Sequence, residues 1–255
     1  MALTDKLTAI ADAIRGKTGK IDSLTLDQMP TEIAGIETGG GGDMVSLIER
    51  TIAEIDDNAV TIVGGRAFDS CKELTSARFT NATEVAGYAF NNCTGLVTVD
   101  LPVVIKTAQQ AFTGCTSLKN VNMPLLSNDS GGYCFRNCTA LQTITLPALT
   151  ALGNGEFENC SALAYVDLPV ATSVGRSAFG NCTALQILVL RNAEQCATMS
   201  NVNSFTGTPF ASGGAGGTVY VPSALIAEYQ QATNWSTLYT AGTCNFVAIE
   251  GSEYE

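Results

Sequence analysis

Histidine is absent from all 255 residues. Its absence removes the commonest general base, the Ser-His and Cys-His nucleophile pairs, and the commonest metal ligand. Basic charge is scarce: 13 Lys and Arg stand against 24 Asp and Glu, a net charge of −11. That balance repels phosphate backbones and argues against nucleic acid and anionic membrane surfaces as partners. No stretch approaches the roughly 18 apolar residues a membrane span needs, so no membrane insertion is expected. Asp5, Lys6 and Asp12 interrupt the first 15 residues, so no signal-peptide core is expected and assembly is placed in the cytoplasm. Only 15% of residues are charged against 45% hydrophobic, the balance of a folded chain.

What is present is a period. Phe68, Phe90, Phe112, Phe135, Phe157 and Phe179 recur at steps of 22, 22, 23, 22 and 22. Three residues after each comes Cys71, Cys93, Cys115, Cys138, Cys160 or Cys182, and three further on Leu74, Leu96, Leu118, Leu141, Leu163 or Leu185. Each copy continues as a short strand with inward pairs Ala77-x-Phe79, Val99-x-Leu101, Val121-x-Met123, Ile144-x-Leu146, Val166-x-Leu168 and Leu188-x-Leu190. A unit this short cannot bury its apolar face alone, so the copies must stack as a solenoid whose core is a set of ladders. Emptying one ring, as in Phe112→Ala, should cost roughly 3–5 kcal/mol. Phe68 and Phe179, read as the ends of the stack, should cost less.

Nine cysteines invite a disulfide reading, but six share one position in successive rungs. Rungs about 4.8 Å apart turn them into a column of small apolar fillers, although the spacing alone would permit a bridge. Cys134, Cys196 and Cys244 lie off the column and have no functional account. No C-x-x-C pairs are present for zinc. Asp56-Asp57-Asn58 and Asn128-Asp129-Ser130 could lend oxygens to calcium but read better as turn formers. No metal and no cofactor is expected. Asp100 and Asp167 occupy equivalent outward positions three rungs apart, about 14 Å at strand spacing. Glycoside hydrolysis uses roughly 5–9.5 Å, so the pair fails and no catalytic residue is assigned. Gly213 to Gly217 lacks the lysine of a phosphate loop and reads as a flexible loop.

Flanking segments complete the organisation. Leu3, Leu7, Ile10 and Ile14 form one helical stripe, capped by Thr4 or Asp5 and ended by Gly16 and Gly19. Thr25-Leu26-Asp27-Gln28 has capping-box spacing before a second helix through Ile33 and Ile36. Helices this short are marginal alone, so the stripe must dock on the solenoid, a second copy or a larger assembly. The expected domains are a helical attachment or oligomerisation module (1–38), a glycine linker (39–43), an N-terminal cap with a partial rung (44–65), six repeats (66–190), and a degenerate rung with a C-terminal cap (191–255). In the first cap Val45, Leu47 and Glu49 pair outside a partial rung of Ile52, Ile55 and Val63. Toward the end the register fades through Asn201–Gly217 and returns at Val219-Tyr220-Val221-Pro222. Ser223 should cap a helix bearing Leu225, Ile226 and Tyr229, with Trp235, Leu238 and a last strand from Thr243 to Ile249 after it.

The outward strand positions are small and polar. Thr98, Asp100, Asn120, Asn122, Thr143, Thr145, Tyr165 and Asp167 form the candidate recognition face, fit for glycan or protein contact. The bland alternative is a solvated sheet face, and the Asn201–Gly217 loop is the other place for a site. Asn-Cys-Thr and Asn-Cys-Ser recur at Asn92, Asn137, Asn159 and Asn181. These formal sequons follow the repeat, so turn hydrogen bonding explains them better than glycosylation.

The consensus A-F-x-x-C-x-x-L-x-x-V-x-L-P resembles the BspA-like class of leucine-rich repeats found in bacterial surface antigens. The match runs from about Ile52 to Pro222 and departs at Phe79-Thr80 and at Ser130-Gly131. The resemblance implies an α+β fold: a leucine-rich-repeat solenoid of 22–23-residue repeats with short parallel strands, an N-terminal helical module and a C-terminal helix/strand cap. The segment Val219–Pro222 with Tyr229 and Ala232-Thr233-Asn234-Trp235 resembles a C-terminal unit of such proteins from gut Firmicutes and their prophages. Leu3-Thr4-Asp5-Lys6-Leu7 through Leu24-Thr25-Leu26-Asp27-Gln28-Met29-Pro30 resembles an N-terminal module of phage tail and baseplate-associated proteins. Together these resemblances imply a non-enzymatic phage or prophage tail protein of the virion, in the baseplate or a tail fibre. Leu3, Leu7, Ile10 and Ile14 would attach it to other tail proteins or to itself as a homo-oligomer such as a trimer, and the solenoid would face the host surface. The alternative is a bacterial cell-surface adhesin, disfavoured by the lack of an export signal or wall anchor in these residues.

Overall fold

A computed structural model describes residues 53–211 and 213–255. The expected N-terminal helices, the glycine linker, Val45, Leu47, Glu49 and Ile52 lie outside them. Each 22-residue rung has three sides. The first carries β1 (Glu54–Asp57), β3 (Ser76–Phe79), β5 (Thr98–Asp100), β7 (Asn120–Asn122), β9 (Thr143–Thr145), β11 (Tyr165–Asp167) and β13 (Ile187–Val189), continued by β15 (Gly217–Val221) and β16 (Cys244–Ala248). The second carries β2 (Ile62–Val63), β4 (Glu84–Val85), β6 (Lys106–Ala108), β8 (Asn128–Ser130), β10 (Ala151–Leu152), β12 (Ser173–Val174) and β14 (Thr198–Met199). All ladders are parallel, and partners such as Val99 and Val121 or Val166 and Leu188 stand one repeat apart. Parallel strands need a long return path, and here the rest of the rung supplies it.

The third side is a run of turns that enters the left-handed region twice per rung. Arg66, Tyr88, Gln110, Tyr133 and Ser177 hold the first such position, with φ of 55–61°. Ser70, Asn92, Asn137, Asn159 and Asn181 hold the second with φ of 57–64°, and Gly114 and Gly207 take it at 76° and 74°. Asparagine and glycine are the residues that tolerate this conformation. Their amides also form a ladder: Asn159 Nδ2 donates to Asn137 Oδ1 at 2.8 Å and Asn181 Nδ2 to Asn159 Oδ1 at 2.9 Å. The recurring sequons therefore have a backbone cause.

Inside, the six phenylalanine rings form one column with centroids 5.0, 5.1, 5.4, 5.6 and 5.7 Å apart and planes within 11° of parallel. Phe79, where the repeat calls for leucine, tilts against Phe68 and Phe90 at 5.9 and 6.3 Å. The column cysteines are buried and unbridged. From Cys93 onward each Sγ donates to a phenylalanine carbonyl one rung back: Cys93 to Phe68 at 2.8 Å, Cys115 to Phe90 at 3.1 Å, Cys160 to Phe135 at 3.0 Å. A thiol both fills the slot and satisfies a carbonyl there.

The Asn201–Gly217 stretch differs from its reading as a loop where the register fades. A 3-10 helix, Val202–Phe205, places Phe205 on Phe179 at 5.2 Å, so the ring column gains a seventh member. Asn201 caps this helix by accepting from the Asn203 N–H, and the buried Ser204 hydroxyl donates to the Gly175 carbonyl at 2.8 Å. Helices α1 (Ile226–Gln231) and α2 (Trp235–Thr240) then close the end. Trp235 Nε1 donates to the Ala197 carbonyl at 2.7 Å, while the Tyr229 hydroxyl accepts from the Ala197 N–H at 2.9 Å. Ser223 does not cap with its side chain. Its backbone N–H is instead taken by the Glu250 carboxylate at 3.0 and 3.1 Å, and a 3-10 turn, Ser223–Leu225, precedes α1. Among the described residues no helix is long and apolar enough to cross a membrane.

Phe112 and Phe179 both have stacked rings on either side, whereas Phe68, among the described residues, has a stacked ring on one side only, Phe90, and is 8% exposed. Phe179→Ala should therefore cost as much as Phe112→Ala, about 3–5 kcal/mol, and Phe68→Ala less, measured by denaturant unfolding. Equal losses at all three sites would contradict a one-dimensional stack. Burial pushes the Cys115, Cys138 and Cys182 thiols well up and those of Cys196 and Cys244 to about 12. A thiol reagent at pH 8 should leave all nine cysteines unreacted in the native chain and modify nine after unfolding without reductant. Fewer than nine would reveal a bridge.

Candidate recognition face

The outward residues of the first side fall into three zones. In the first zone Arg78 lies between Asp56 and Asp100, at 3.3 and 2.9 Å, and the two carboxylates hold its guanidinium firmly protonated. Asn122 Nδ2 donates to Asp100 Oδ1 at 2.6 Å and Asn120 Nδ2 to the Thr98 hydroxyl at 3.3 Å. Thr98, Asp100, Asn120 and Asn122 are thus cross-linked from rung to rung, which limits the rotamers they present.

In the last zone the outward residues are occupied. Asp167 is 6% exposed, and the Arg191 guanidinium donates to both its oxygens at 3.2 and 2.9 Å. The Tyr165 hydroxyl donates to Asp167 Oδ2 at 3.4 Å, and desolvation raises its pKa, with Asp167 adding to the effect. The Tyr254 ring packs against Tyr165 and Tyr220 at 5.6 and 4.6 Å, and its carbonyl accepts from Arg191. The tail therefore runs over β11 and β15, and Tyr165 and Asp167 hold it there.

Between these zones the face is cut. The backbone bonds Lys119 N to Val97 O (3.0 Å) and Ala164 N to Gln142 O (2.8 Å) have no counterpart joining Gln142 to Lys119. The first-side sheet stops at β7 and restarts at β9, and the second-side sheet stops at β8 and restarts at β10. The third side stays laddered, with Phe112 N on Cys134 O at 2.9 Å and Gly114 N on Arg136 O at 2.8 Å. The single 23-residue step falls here. Its extra residue lies at Gly131-Gly132, whose φ values of 148° and 71° suit glycine. That added length frees the two rungs to part on two sides while remaining joined on the third.

The opening is a cleft of about 390 Å³. Asn120, Asn122, Thr143 and Thr145 form its rim, Val121 and Ile144 line it, and Lys119 is its one cation. Val121 is partly exposed, whereas its column neighbour Val99 is 1% exposed. Unladdered backbone groups at the two strand edges add donors and acceptors to the amide and hydroxyl rim. The cleft's amide, hydroxyl, backbone and apolar groups can bind a ligand by hydrogen bonds and apolar contact.

Four of the eight residues singled out from the sequence therefore meet at the cleft, two more brace its rim, and Tyr165 and Asp167 stand apart under the tail. Lys119, Val121 and Ile144 escaped the reading of outward positions because two of them face inward in every closed rung. The 23-residue step was the available signal.

Residues 50–163 and 111–210 match the family model for the BspA type leucine-rich repeat region, in six copies. No curated protein matches the chain. Among solved structures, a T. pallidum leucine-rich repeat protein is 32% identical with a TM-score of 0.41, over 43% of this chain and 53% of that one. A leucine-rich repeat protein from Eubacterium ventriosum is 21% identical with a TM-score of 0.55, over 62% of this chain and 43% of that one. A leucine-rich cell surface protein from Faecalibacterium prausnitzii is 21% identical with a TM-score of 0.48, over 69% and 63%. The chain spans less than two thirds of each of these proteins. With its repeat period, laddered strands and family match over more than half its length, the chain belongs to the BspA-type leucine-rich repeat family.

Proposed function

We propose that this protein is a non-enzymatic, adhesin-like binding protein that seats a host-surface glycan or an extended protein segment in the cleft between β7 and β9. The observation that carries this reading is the cut in the strand face, which gathers Asn120, Asn122, Thr143 and Thr145 around a partly apolar lining. A sugar ring offers an apolar face edged by hydroxyls, and an extended peptide offers ladder partners; both match such a surface. Membership of a repeat family of binding and structural proteins, surface proteins among them, supports the same reading. The virion setting rests on a separate observation, the resemblance of residues 1–36 to a tail-associated module, and in it Leu3, Leu7, Ile10 and Ile14 are the attachment stripe.

The test is binding on a glycan array and to host cells. Asn120→Ala with Asn122→Ala, and separately Thr143→Ala with Thr145→Ala, should each weaken binding at least about tenfold, the effect of about 1.4 kcal/mol. Tyr165→Ala should leave affinity within twofold of the parent. Unchanged affinity in both cleft variants would move the site elsewhere. For the virion setting, a chain lacking residues 1–42 should keep its ligand affinity but fail to enter particles; retained incorporation would count against that setting.

A further inference from the structure

Four inward positions break the repeat, and three of them meet in one place. The residue before each stacked phenylalanine is alanine at Ala67, Ala89, Ala111 and Ala178, but Cys134 and Glu156 in the two rungs between. The inward position of the second-side strands is Val63, Val85, Leu152, Val174 and Met199, with Thr107 in β6 and Asp129 in β8 as the polar exceptions. These departures converge: one donor atom each from Asp129, Cys134 and Glu156 lies within 4.8 Å of the other two. The trio sits where β8 and β10 fail to ladder.

Cys134 and Glu156 are 0% exposed. Neither Glu156 oxygen has a hydrogen-bond partner, nor does Asp129 Oδ2; Asp129 Oδ1 accepts only from the Thr107 hydroxyl, at 3.3 Å. The backbone closes over them. A Cβ on Gly153 would stand 2.3 Å from Asp129 Oδ2 and 2.6 Å from Gly132 Cα, so no side chain at that position could share the space. A fully buried carboxylate with no donor, as at Glu156, is costly, and with the half-buried Asp129 and a thiol beside it the group calls for a positive charge between them. Burial, and then the Asp129 carboxylate, push the Glu156 carboxyl well above its usual range. One shared proton would serve the two carboxylates but would assign no part to Cys134.

We propose that Asp129, Cys134 and Glu156 hold a zinc ion that staples three successive rungs at the open seam. A thiolate with two carboxylates suits a borderline cation such as Zn²⁺, whereas Ca²⁺ and Mg²⁺ take oxygen alone. Donor atoms around zinc stand ~3–4 Å apart, so a small inward turn of the side chains closes the site. On binding, the Cys134 thiol and any protonated carboxyl lose their protons to solvent, because the ligands act as anions. The ion neutralises the orphaned carboxylates and ties together rungs that lack backbone ladders on two sides.

The experiment uses the full chain, stripped with chelator under reductant and then given Zn²⁺ or Co²⁺ alone. The chain should take up about one equivalent and unfold at a higher temperature, and Co²⁺ should add a thiolate charge-transfer band in the near ultraviolet. Glu156→Ala restores the alanine of the repeat and keeps all nine thiols; it should fold, as shown by circular dichroism, yet lose the uptake, the band and the thermal shift. Cys134→Ala should lose the band. Glu156→Gln, closer in volume, serves if the alanine variant unfolds and should likewise lose the uptake. Uptake below about a tenth of an equivalent by the parent chain, or a band of equal strength in a folded Glu156 variant, would overturn the assignment.

Discussion

Each rung presents inward apolar groups that only the next rung can cover, and every other property of this molecule follows from that dependence. The phenylalanine centroids stand 5.0–5.7 Å apart, close to the spacing of hydrogen-bonded strands. Ring stacking and backbone laddering therefore impose one rise per rung. The thiol column is held to the same rise, since each Sγ from Cys93 onward reaches a carbonyl one rung back. Left-handed asparagines at the corner share it through their amide ladder. A stack so constrained has a natural problem at its end, which Phe205, Trp235 and Tyr229 solve by ring contact and by two hydrogen bonds to Ala197.

Against that regularity the seam between the third and fourth full rungs is the exception. One added residue at Gly131-Gly132 leaves the ring column intact, at 5.4 Å between Phe112 and Phe135, yet unladders the strands on two sides. Two consequences meet there. On the first side the opening creates the cleft. Where the second side meets the turns it brings together three polar groups, Asp129, Cys134 and Glu156. A regular repeat offers the same surface at every rung and so cannot single out a ligand position; the irregularity makes one rung step different from the others.

Much of this architecture was legible in the sequence because it depends on local identity repeated at a fixed interval. The ring, thiol and leucine columns, the inward pairs and the final strand were all readable, since a ladder needs like residues at like positions. Ser223 and Phe205 were not. Ser223 has the chemistry of a cap, but Glu250, 27 residues away, takes its backbone N–H. Phe205 follows Phe179 by 26 residues, so periodicity alone could not enrol it; the 3-10 helix that shortens the path does so. Tyr165 and Asp167 occupy outward positions like their neighbours, and only the folded chain shows Arg191 and Tyr254 covering them.

By itself, then, the amino-acid order determined the family, the stacking axis and the content of the core, because burial along a ladder is decided by which residue recurs. Which outward residues are free, which are occupied, and where the face opens were decided by tertiary structure. Those outcomes turn on contacts between segments with no shared period, and on whether a single inserted residue is absorbed by the rings or by the strands.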